Sequence, residues 1–218
     1  MNRFAHLIFD LDGTLVDTST DLTAATNHVL ETFGLPLLSV AQVSAYIGNG
    51  IPVLIERALG PAHAHLVPRG FALFIEYYRI HLLDHTRAYA GIESLLAAAP
   101  AQGIVLSVLT NKIEVSSRAI LSGLGLAPLF SALVGGDTLP TKKPDPQGIF
   151  YLQHLTGIAL TETILIGDSR IDVETGRAAG VATCGVTWGF SAAGLATLPP
   201  HFLVDTPEQL CRLILPEV

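Results

Sequence analysis

Five short aliphatic runs, each ending at or just before an Asp, Thr or Gly, constrain the fold of this 218-residue chain more than any other feature. Runs of this length are typical of buried parallel strands, and most of the segments between them have helical spacing. Because alternating strands and helices form βαβ units, the sequence predicts an α/β core with a Rossmann-like parallel sheet. The predicted strands are Ala5 to Phe9, Ile104 to Leu109, Ala132 to Gly135, Thr163 to Ile166 and Val181 to Val186.

The gap between the first two predicted strands is about three times as long as a βαβ unit of roughly 30 residues. It contains segments with helical spacing, and Ser39 and Gln42 fit a capping box. We therefore expect residues 17–87 to form an inserted all-helical cap domain, and residues 1–16 and 88–218 to form the core. The predicted cap helices are Asp21 to Phe33, Gln42 to Ile47, Ile51 to Leu59 and Pro68 to Leu83. Near the other end of the chain, Pro199 and Pro207 indicate loops.

Composition argues against two kinds of partner. The apolar runs are far shorter than the roughly 20 residues of a membrane-spanning helix, so no membrane segment is expected. The formal net charge is -7 and no cluster of Lys and Arg is longer than Lys142-Lys143, so a nucleic-acid surface is not expected either. The chain begins almost directly with a strand and has only Cys184 and Cys211, which favours a cytoplasmic location. Nothing in the sequence indicates an oligomeric state.

Two carboxylates, Asp10 and Asp12, follow the first strand in the run DLDGTL. Residues at positions i and i+2 point the same way, and at the carboxyl edge of an open α/β sheet they face the ligand crevice. Two acids in one crevice call for a hard cation such as Mg²⁺, which binds carboxylate and phosphate oxygens. Gly13 would allow a tight turn beside a bound phosphate. An isolated Asp-Gly after a strand is usually only a turn, so this prediction depends on further motifs.

Three more polar motifs follow later strands. They are Thr110-Asn111, Lys142-Lys143 before Pro144, and Asp168 with Asp172 four residues further on. Taken alone, each has a structural explanation: a Thr after a strand is more often a helix cap, and a lysine pair is often solvated. Two acids four residues apart repel each other on a helix unless a cation is near. Four polar motifs, three of them directly after strands, together predict one common site.

These motifs, in this order, resemble those of the haloacid dehalogenase-like hydrolase superfamily, and most closely its phosphoglycolate phosphatase branch. The stretches that carry the resemblance are FDLDGTLVDT, YIGNG, LTNK, VGGDTLPTKKPDP and IGDSRIDVETGRAAG. The resemblance extends over nearly the whole chain. It implies a Mg²⁺-dependent phosphatase for a small phosphoester, with 2-phosphoglycolate as the leading substrate.

The resemblance also implies catalytic and metal-binding roles. Asp10 would be the nucleophile that forms an aspartyl-phosphate, and Asp12 would be the general acid and base. Lys143, which directly precedes the proline, would neutralise the nucleophile and the transferring phosphoryl group. Asp10, Asp12 and Asp168 would hold Mg²⁺, and Asp172 would support that site from a second layer.

Further residues would bind the substrate. The resemblance implies that Thr110, Asn111 and Lys143 bind the phosphoryl group, and that the cap loop Gly48-Asn49-Gly50 determines which leaving group is accepted. Relatives often carry an Arg before this loop, where the present chain has Ser44. The cap arginines available to bind a substrate carboxylate are Arg57, Arg69, Arg79 and Arg87.

Other activities of the superfamily can be compared on residue type. A dehalogenase lacks the second acid, so Asp12 counts against it. A phosphonoacetaldehyde hydrolase needs a cap lysine, but Lys112, Lys142 and Lys143 all lie outside the predicted cap. A sugar-phosphate phosphatase and a hexose-phosphate mutase share the motifs and stay open. A non-catalytic binding protein on the same fold would require a lost acid, and all the acids are present.

Overall fold

A six-stranded parallel sheet forms the centre of the structure, a computed structural model that describes residues 4–215. The strand order is β5-β4-β1-β6-β7-β8, and β2 and β3 form a separate two-stranded ribbon. The strands are β1 (His6–Phe9), β2 (Val16–Asp17), β3 (Arg87–Ala88), β4 (Val105–Leu109), β5 (Ala132–Val134), β6 (Thr163–Gly167), β7 (Ala182–Val186) and β8 (Phe202–Val204). The predicted α/β core with a parallel sheet is confirmed.

Helices cover the sheet and form the insertion. They are α1 (Ser19–Thr32), α2 (Val40–Ser44), α3 (Ile51–Leu59), α4 (Val67–His81), α5 (Ile92–Ala98), α6 (Glu114–Gly123), α7 (Gln147–Thr156), α8 (Arg170–Ala179) and α9 (Pro207–Ile214). Within the described residues, no helix combines the length and the apolar character needed to cross a bilayer.

The central strand β1 explains why the sheet is covered on both faces. Its side chains alternate, so that Leu7 and Phe9 belong to one apolar cluster and Ile8 to another, and all three are fully buried. A parallel strand buried on both faces has a continuous apolar sequence, as Leu7, Ile8 and Phe9 show. The position of β1 between β4 and β6 places its carboxyl end in the middle of the sheet edge.

The insertion leaves and re-enters the core through neighbouring strands. Val16 pairs with Ala88 and Asp17 with Arg87 in the antiparallel ribbon of β2 and β3. Helices α1 to α4 lie between these strands and correspond to the four predicted cap helices, within a few residues at their ends. The capping box of Ser39 and Gln42 is present. The proposed cap boundaries at residues 17 and 87 coincide with the ribbon.

The carboxyl-terminal part of the chain differs from the prediction of loops. Pro207 is the first residue of α9, and the Thr206 hydroxyl oxygen accepts a hydrogen bond from Gln209 N at 3.3 Å. Because the first residues of a helix have no intrahelical partner for their N–H groups, proline is well tolerated there. The proline at position 207 therefore begins a helix, and the prediction of a loop was wrong.

Candidate active site

Three neighbouring strands end at one place and carry three of the four polar motifs. Strand β1 lies between β4 and β6. Asp10 follows β1, Thr110 follows β4 and Asp168 follows β6. The carboxyl ends of parallel strands form the ligand crevice of such sheets. The fold thus brings together motifs that are far apart in the sequence.

Lys143 lies between two carboxylates at this edge. Its Nζ is 3.0 Å from Asp10 Oδ1 and 2.6 Å from Asp172 Oδ1, and its side chain is 1% exposed. Burial works against the ammonium charge, but the two carboxylates outweigh it, so the pKa of Lys143 is raised. Leu11 N also donates to Asp10 Oδ1, at 2.7 Å. Two donors therefore orient the Asp10 carboxylate.

Three buried acids form a cluster around the same point. Asp10, Asp168 and Asp172 each offer a carboxylate oxygen, and these oxygens lie within 4.8 Å of one another. Burial raises the pKa of Asp168 to about 8, and the charges of Asp172 and Asp10 add to this effect. Burial likewise raises the pKa of Asp10 to about 6, although Lys143 opposes it. Three acids with one ammonium leave negative charge uncompensated, which suits a divalent cation with oxygen ligands.

Backbone N–H groups orient Asp168, one of the three acids of the cluster. Asp168 Oδ2 accepts hydrogen bonds from Phe190 N at 2.7 Å and Ser191 N at 3.1 Å. Gly13 passes so close that a Cβ there would collide with the Asp168 carboxylate, and its φ is +80°. Only glycine meets both conditions without strain. The glycine of DLDGTL thus permits the close approach of the first motif to the last.

Asp12 does not belong to this acid cluster. Its carboxylate accepts hydrogen bonds from Thr18 Oγ1 at 2.8 Å and from Lys112 Nζ at 3.1 and 3.2 Å. The three clustered acids therefore differ from the predicted metal set Asp10, Asp12 and Asp168 in one position. Asp172, which was expected in a second layer, lies in the cluster, and the Asp12 side chain lies outside it.

The sequence did not predict that Lys112 and Tyr78 lie at the site. Lys112 Nζ is 2.8 Å from the hydroxyl oxygen of Tyr78, a residue of α4, and both side chains are buried. Lys112 stands in LTNK, directly after Thr110 and Asn111, which were predicted to bind phosphate, so its position in the sequence could have marked it as a site residue. Tyr78 gave no such signal, because an aromatic residue in an amphipathic helix is ordinarily part of the core.

The cap loop that precedes α3 rests on the core. Asn111 Nδ2 donates to Gly48 O at 2.9 Å and to Lys143 O at 3.1 Å. Lys142 Nζ donates to Asn49 O at 2.8 Å. Asn111, predicted to bind phosphate, thus also joins the cap loop to the lysine motif. Lys142 is not merely solvated, because it holds the same loop.

A small cavity lies between the cap and the sheet edge. Asp10, Asp12, Thr110, Asn111 and Lys112 line it on the core side, and it has room for about 30 Å³. That volume holds only about two water molecules, so a substrate requires movement of the cap. The cap side is apolar and consists of Leu22, Ile47, Ile51 and Leu54, with Gly48 and Gly50 from the loop. The Asn49 side chain instead contacts Arg57, at 3.0 Å.

Known proteins resemble this chain over nearly its whole length. The family model for haloacid dehalogenase-like hydrolases matches residues 7–186. A phosphoglycolate phosphatase of Neisseria meningitidis serogroup A is 40% identical, covering 92% of this chain and 89% of that protein. One from Chromobacterium violaceum is 38% identical, covering 98% of both chains.

Solved structures agree with these relatives. The crystal structure of a predicted phosphoglycolate phosphatase from Haemophilus somnus 129pt superposes with a TM-score of 0.91 at 33% identity. The match covers 96% of this chain and 97% of that one. With this fold, these strand-end acids and a family model that matches most of its length, the chain belongs to the haloacid dehalogenase-like hydrolases.

Proposed function

We propose that the protein is a Mg²⁺-dependent phosphatase that hydrolyses a small phosphate monoester, with 2-phosphoglycolate as the leading substrate. The observation that carries this proposal is the Asp10 carboxylate, which Lys143 and Leu11 N orient within the acid cluster. The names of the curated relatives support the choice of substrate.

Asp10 acts as the nucleophile in this proposal. The adjacent ammonium of Lys143 lowers the pKa of Asp10 against the effect of burial, which favours the ionised carboxylate, and it reduces the repulsion between this carboxylate and an anionic substrate. Attack on phosphorus forms an aspartyl-phosphate and releases the alcohol, and water then hydrolyses the intermediate. The division into two steps avoids one slow displacement.

Asp12 transfers the protons. It donates one to the leaving alkoxide oxygen and later takes one from the water that attacks the aspartyl-phosphate. Thr18 Oγ1 and Lys112 Nζ hold its carboxylate on the wall of the cavity that also contains Asp10. Thr110 and Asn111 line the same cavity, and in this proposal the Thr110 hydroxyl and the backbone N–H of Asn111 bind phosphoryl oxygens.

The donor set fits a magnesium ion. Asp10, Asp168 and Asp172 would hold it, and the uncompensated charge of these buried acids is the structural reason. The ion would supply positive charge that offsets the charge of the phosphoryl group.

A screen of small phosphate esters tests the function. We expect release of inorganic phosphate from 2-phosphoglycolate and from an aryl phosphate when Mg²⁺ is present, and loss of both activities with a chelator. Sugar phosphates in the same screen separate the alternatives. Undiminished turnover after exhaustive removal of metal would contradict the magnesium proposal. Isomerisation of a hexose phosphate without net phosphate release would favour a mutase instead.

A further inference from the structure

One positively charged side chain lines the cavity among the residues that the structure describes. Among the described residues that line it, Asp10 and Asp12 are anionic and Lys112 is the only cationic side chain. Lys143 lies outside this lining, paired with Asp10 and Asp172. A second anionic group on a substrate would thus find Lys112 as its nearest cation in the cavity.

Lys112 is held rigidly in this position. Its side chain is 2% exposed, its Nζ contacts both oxygens of Asp12, and the Tyr78 hydroxyl lies 2.8 Å away. The ammonium also lies 4.7 Å from the centre of the Tyr78 ring. Burial opposes its charge, but Asp12 and Tyr78 more than compensate and raise the pKa of Lys112, so it stays charged.

The cap arginines do not line the cavity, and three of them have other partners. Arg57 donates to Tyr46 O and Asn49 Oδ1. Arg69 lies over the ring of Phe33 at 5.5 Å. The third, Arg87, binds backbone carbonyls around the end of α4. With Ser44 before the cap loop, the cap supplies no cation to this cavity within the part of the chain that the structure describes.

We propose that Lys112 binds an anionic group on the leaving-group side of the substrate, and that Tyr78 holds the ammonium in place for it. This inference rests on the proposed phosphatase function and refines its substrate class. The preferred substrate is then a phosphate monoester whose leaving group carries a carboxylate close to the ester oxygen. The source of this preference is a core lysine and a cap tyrosine, instead of a cap arginine.

Distances favour a short leaving group. Asp12 must lie within hydrogen-bond reach of the ester oxygen to protonate it, and Lys112 Nζ is 3.1 Å from Asp12. The ammonium therefore lies within about 6 Å of the ester oxygen. A carboxylate one carbon away from that oxygen can reach it. The apolar wall of Leu22, Ile47, Ile51 and Leu54 offers no partners for the hydroxyl groups of a sugar.

A pair of esters that differ in the carboxylate tests the proposal. The measurement is kcat/KM for 2-phosphoglycolate and for ethyl phosphate, with the wild-type protein and with Lys112→Met. Methionine keeps an unbranched, buried side chain and removes the charge. We expect Lys112→Met to lower the ratio of the two kcat/KM values by about 10- to 100-fold, as for a lost charge-assisted hydrogen bond.

Two further variants test whether the effect of Lys112→Met comes from binding of the substrate carboxylate or from the loss of any nearby positive charge. Tyr78→Phe removes only the hydroxyl group that contacts Lys112, and we expect a smaller decrease of the same ratio. Lys142→Met removes a neighbouring ammonium that binds Asn49 O, and we expect this ratio to stay unchanged. Circular dichroism checks that each variant is folded.

The outcomes are distinguishable. If the wild-type protein hydrolyses neither ester, the proposed function fails and this inference with it. If it hydrolyses both, and Lys112→Met slows both by the same factor, only the inference is overturned, because Lys112 then merely positions Asp12. If Lys112→Met has no activity at all, calorimetric binding in the Asp10→Asn background decides. Weaker binding of phosphoglycolate alone supports the proposal, and equal loss for both esters overturns it.

Discussion

The buried charges of the site are arranged in two separate groups, and this separation defines what each aspartate can do. Asp10 shares Lys143 with Asp172, whereas Asp12 shares Lys112 with Tyr78. Each aspartate thus pairs with its own buried lysine, Asp10 with Lys143 and Asp12 with Lys112. A substitution at one lysine therefore removes the cation from one aspartate and leaves the other pair in place.

The first prediction concerns these two aspartates. We expect Asp10→Asn to abolish turnover, because in the proposed mechanism only Asp10 forms the covalent bond to phosphorus. We expect Asp12→Asn to slow turnover by about 10²- to 10⁴-fold, with hydrolysis of the intermediate impaired more than its formation. Labelled phosphate trapped on the protein, followed by peptide mapping, measures both effects. Label on a residue other than Asp10 would refute the assignment. Asp205→Asn, an exposed acid on β8's loop, serves as the control.

A buried carboxylate in α1 anchors the first cap helix to the segment through which the chain returns to the core. Asp21 is 1% exposed and accepts hydrogen bonds from His85 N, Thr86 N and Thr86 Oγ1 at 2.8 to 3.0 Å. These donors lie just before β3, so Asp21 ties the first helix of the cap to the strand through which the chain returns. A buried carboxylate that accepts several hydrogen bonds also leaves several unpaired donors when it is removed.

The second prediction follows from this contact. We expect Asp21→Ala to lower the free energy of unfolding by about 3 kcal/mol, because buried N–H groups lose their acceptor. Urea denaturation measures the effect. Asp84→Ala is a matched control, since Asp84 is exposed and pairs only with His81 near the same end of the cap. The control should stay within about 1 kcal/mol of the wild-type value. Equal losses in the two variants would show that Asp21 is not a structural anchor.

The cap loop is a second element whose order depends on contacts outside the cavity. The side chain of Asn49 contacts Arg57, while its carbonyl oxygen accepts from Lys142 Nζ. The flanking Gly48 and Gly50, and not the Asn49 side chain, line the cavity. The loop can therefore influence every substrate through its position.

The third prediction applies to this loop. We expect Asn49→Ala to raise KM severalfold for phosphoglycolate and ethyl phosphate alike, because the loop loses one attachment without losing a cavity contact. Steady-state kinetics on both esters measures the change, and Arg57→Gln should reproduce it. A change confined to one ester would mean that the Asn49 side chain reaches the leaving group when substrate is bound.

At the scale of the whole molecule, the response of stability to pH depends on groups in the core as well as in the site. His6 is fully buried in β1, and its Nε2 lies 2.9 Å from Ser107 Oγ in β4. Burial lowers the pKa of His6 to about 4. Its neutral form is thus favoured in the folded protein, whereas the unfolded chain takes up a proton near pH 6.5.

The fourth prediction is a pH dependence with a defined sign. Between about pH 6.5 and pH 4 the unfolded state binds one more proton at His6, so this residue makes stability fall as the pH falls. The contribution amounts to at most about 3 kcal/mol. Asp10 and Asp168, whose pKa values are raised by burial, act in the opposite direction. The difference between the wild-type protein and His6→Gln removes their common contribution.

Urea unfolding of both proteins at several pH values measures this difference. We expect the stability advantage of the wild-type protein over His6→Gln to shrink as the pH is lowered from 6.5 to 4. Parallel stability profiles across that range would contradict a buried neutral His6.

Sequence alone determined the alternation of strands and helices, the helical insertion and the placement of the polar motifs after strands. These features depend on local periodicity and on the rule that parallel strands end at one edge, so the sequence contains them directly. It was less informative for β2, β3 and β8, which have only two or three residues each, and for α9, which begins at a proline.

Tertiary structure decided which charged groups meet. Asp12 and Lys112 are 100 residues apart, and Lys112 and Tyr78 are 34 apart and belong to different layers. No local pattern encodes these contacts, because the first depends on the pairing of strands β1 and β4 and the second on how the cap helices pack over the sheet edge. The arrangement of β1, β6 and α8 within the core brings Asp172 into the acid cluster, and the Asp12 side chain lies outside it. The sequence therefore determined which residues are available at the site, and tertiary packing, within the core and between cap and core, determined how they are paired.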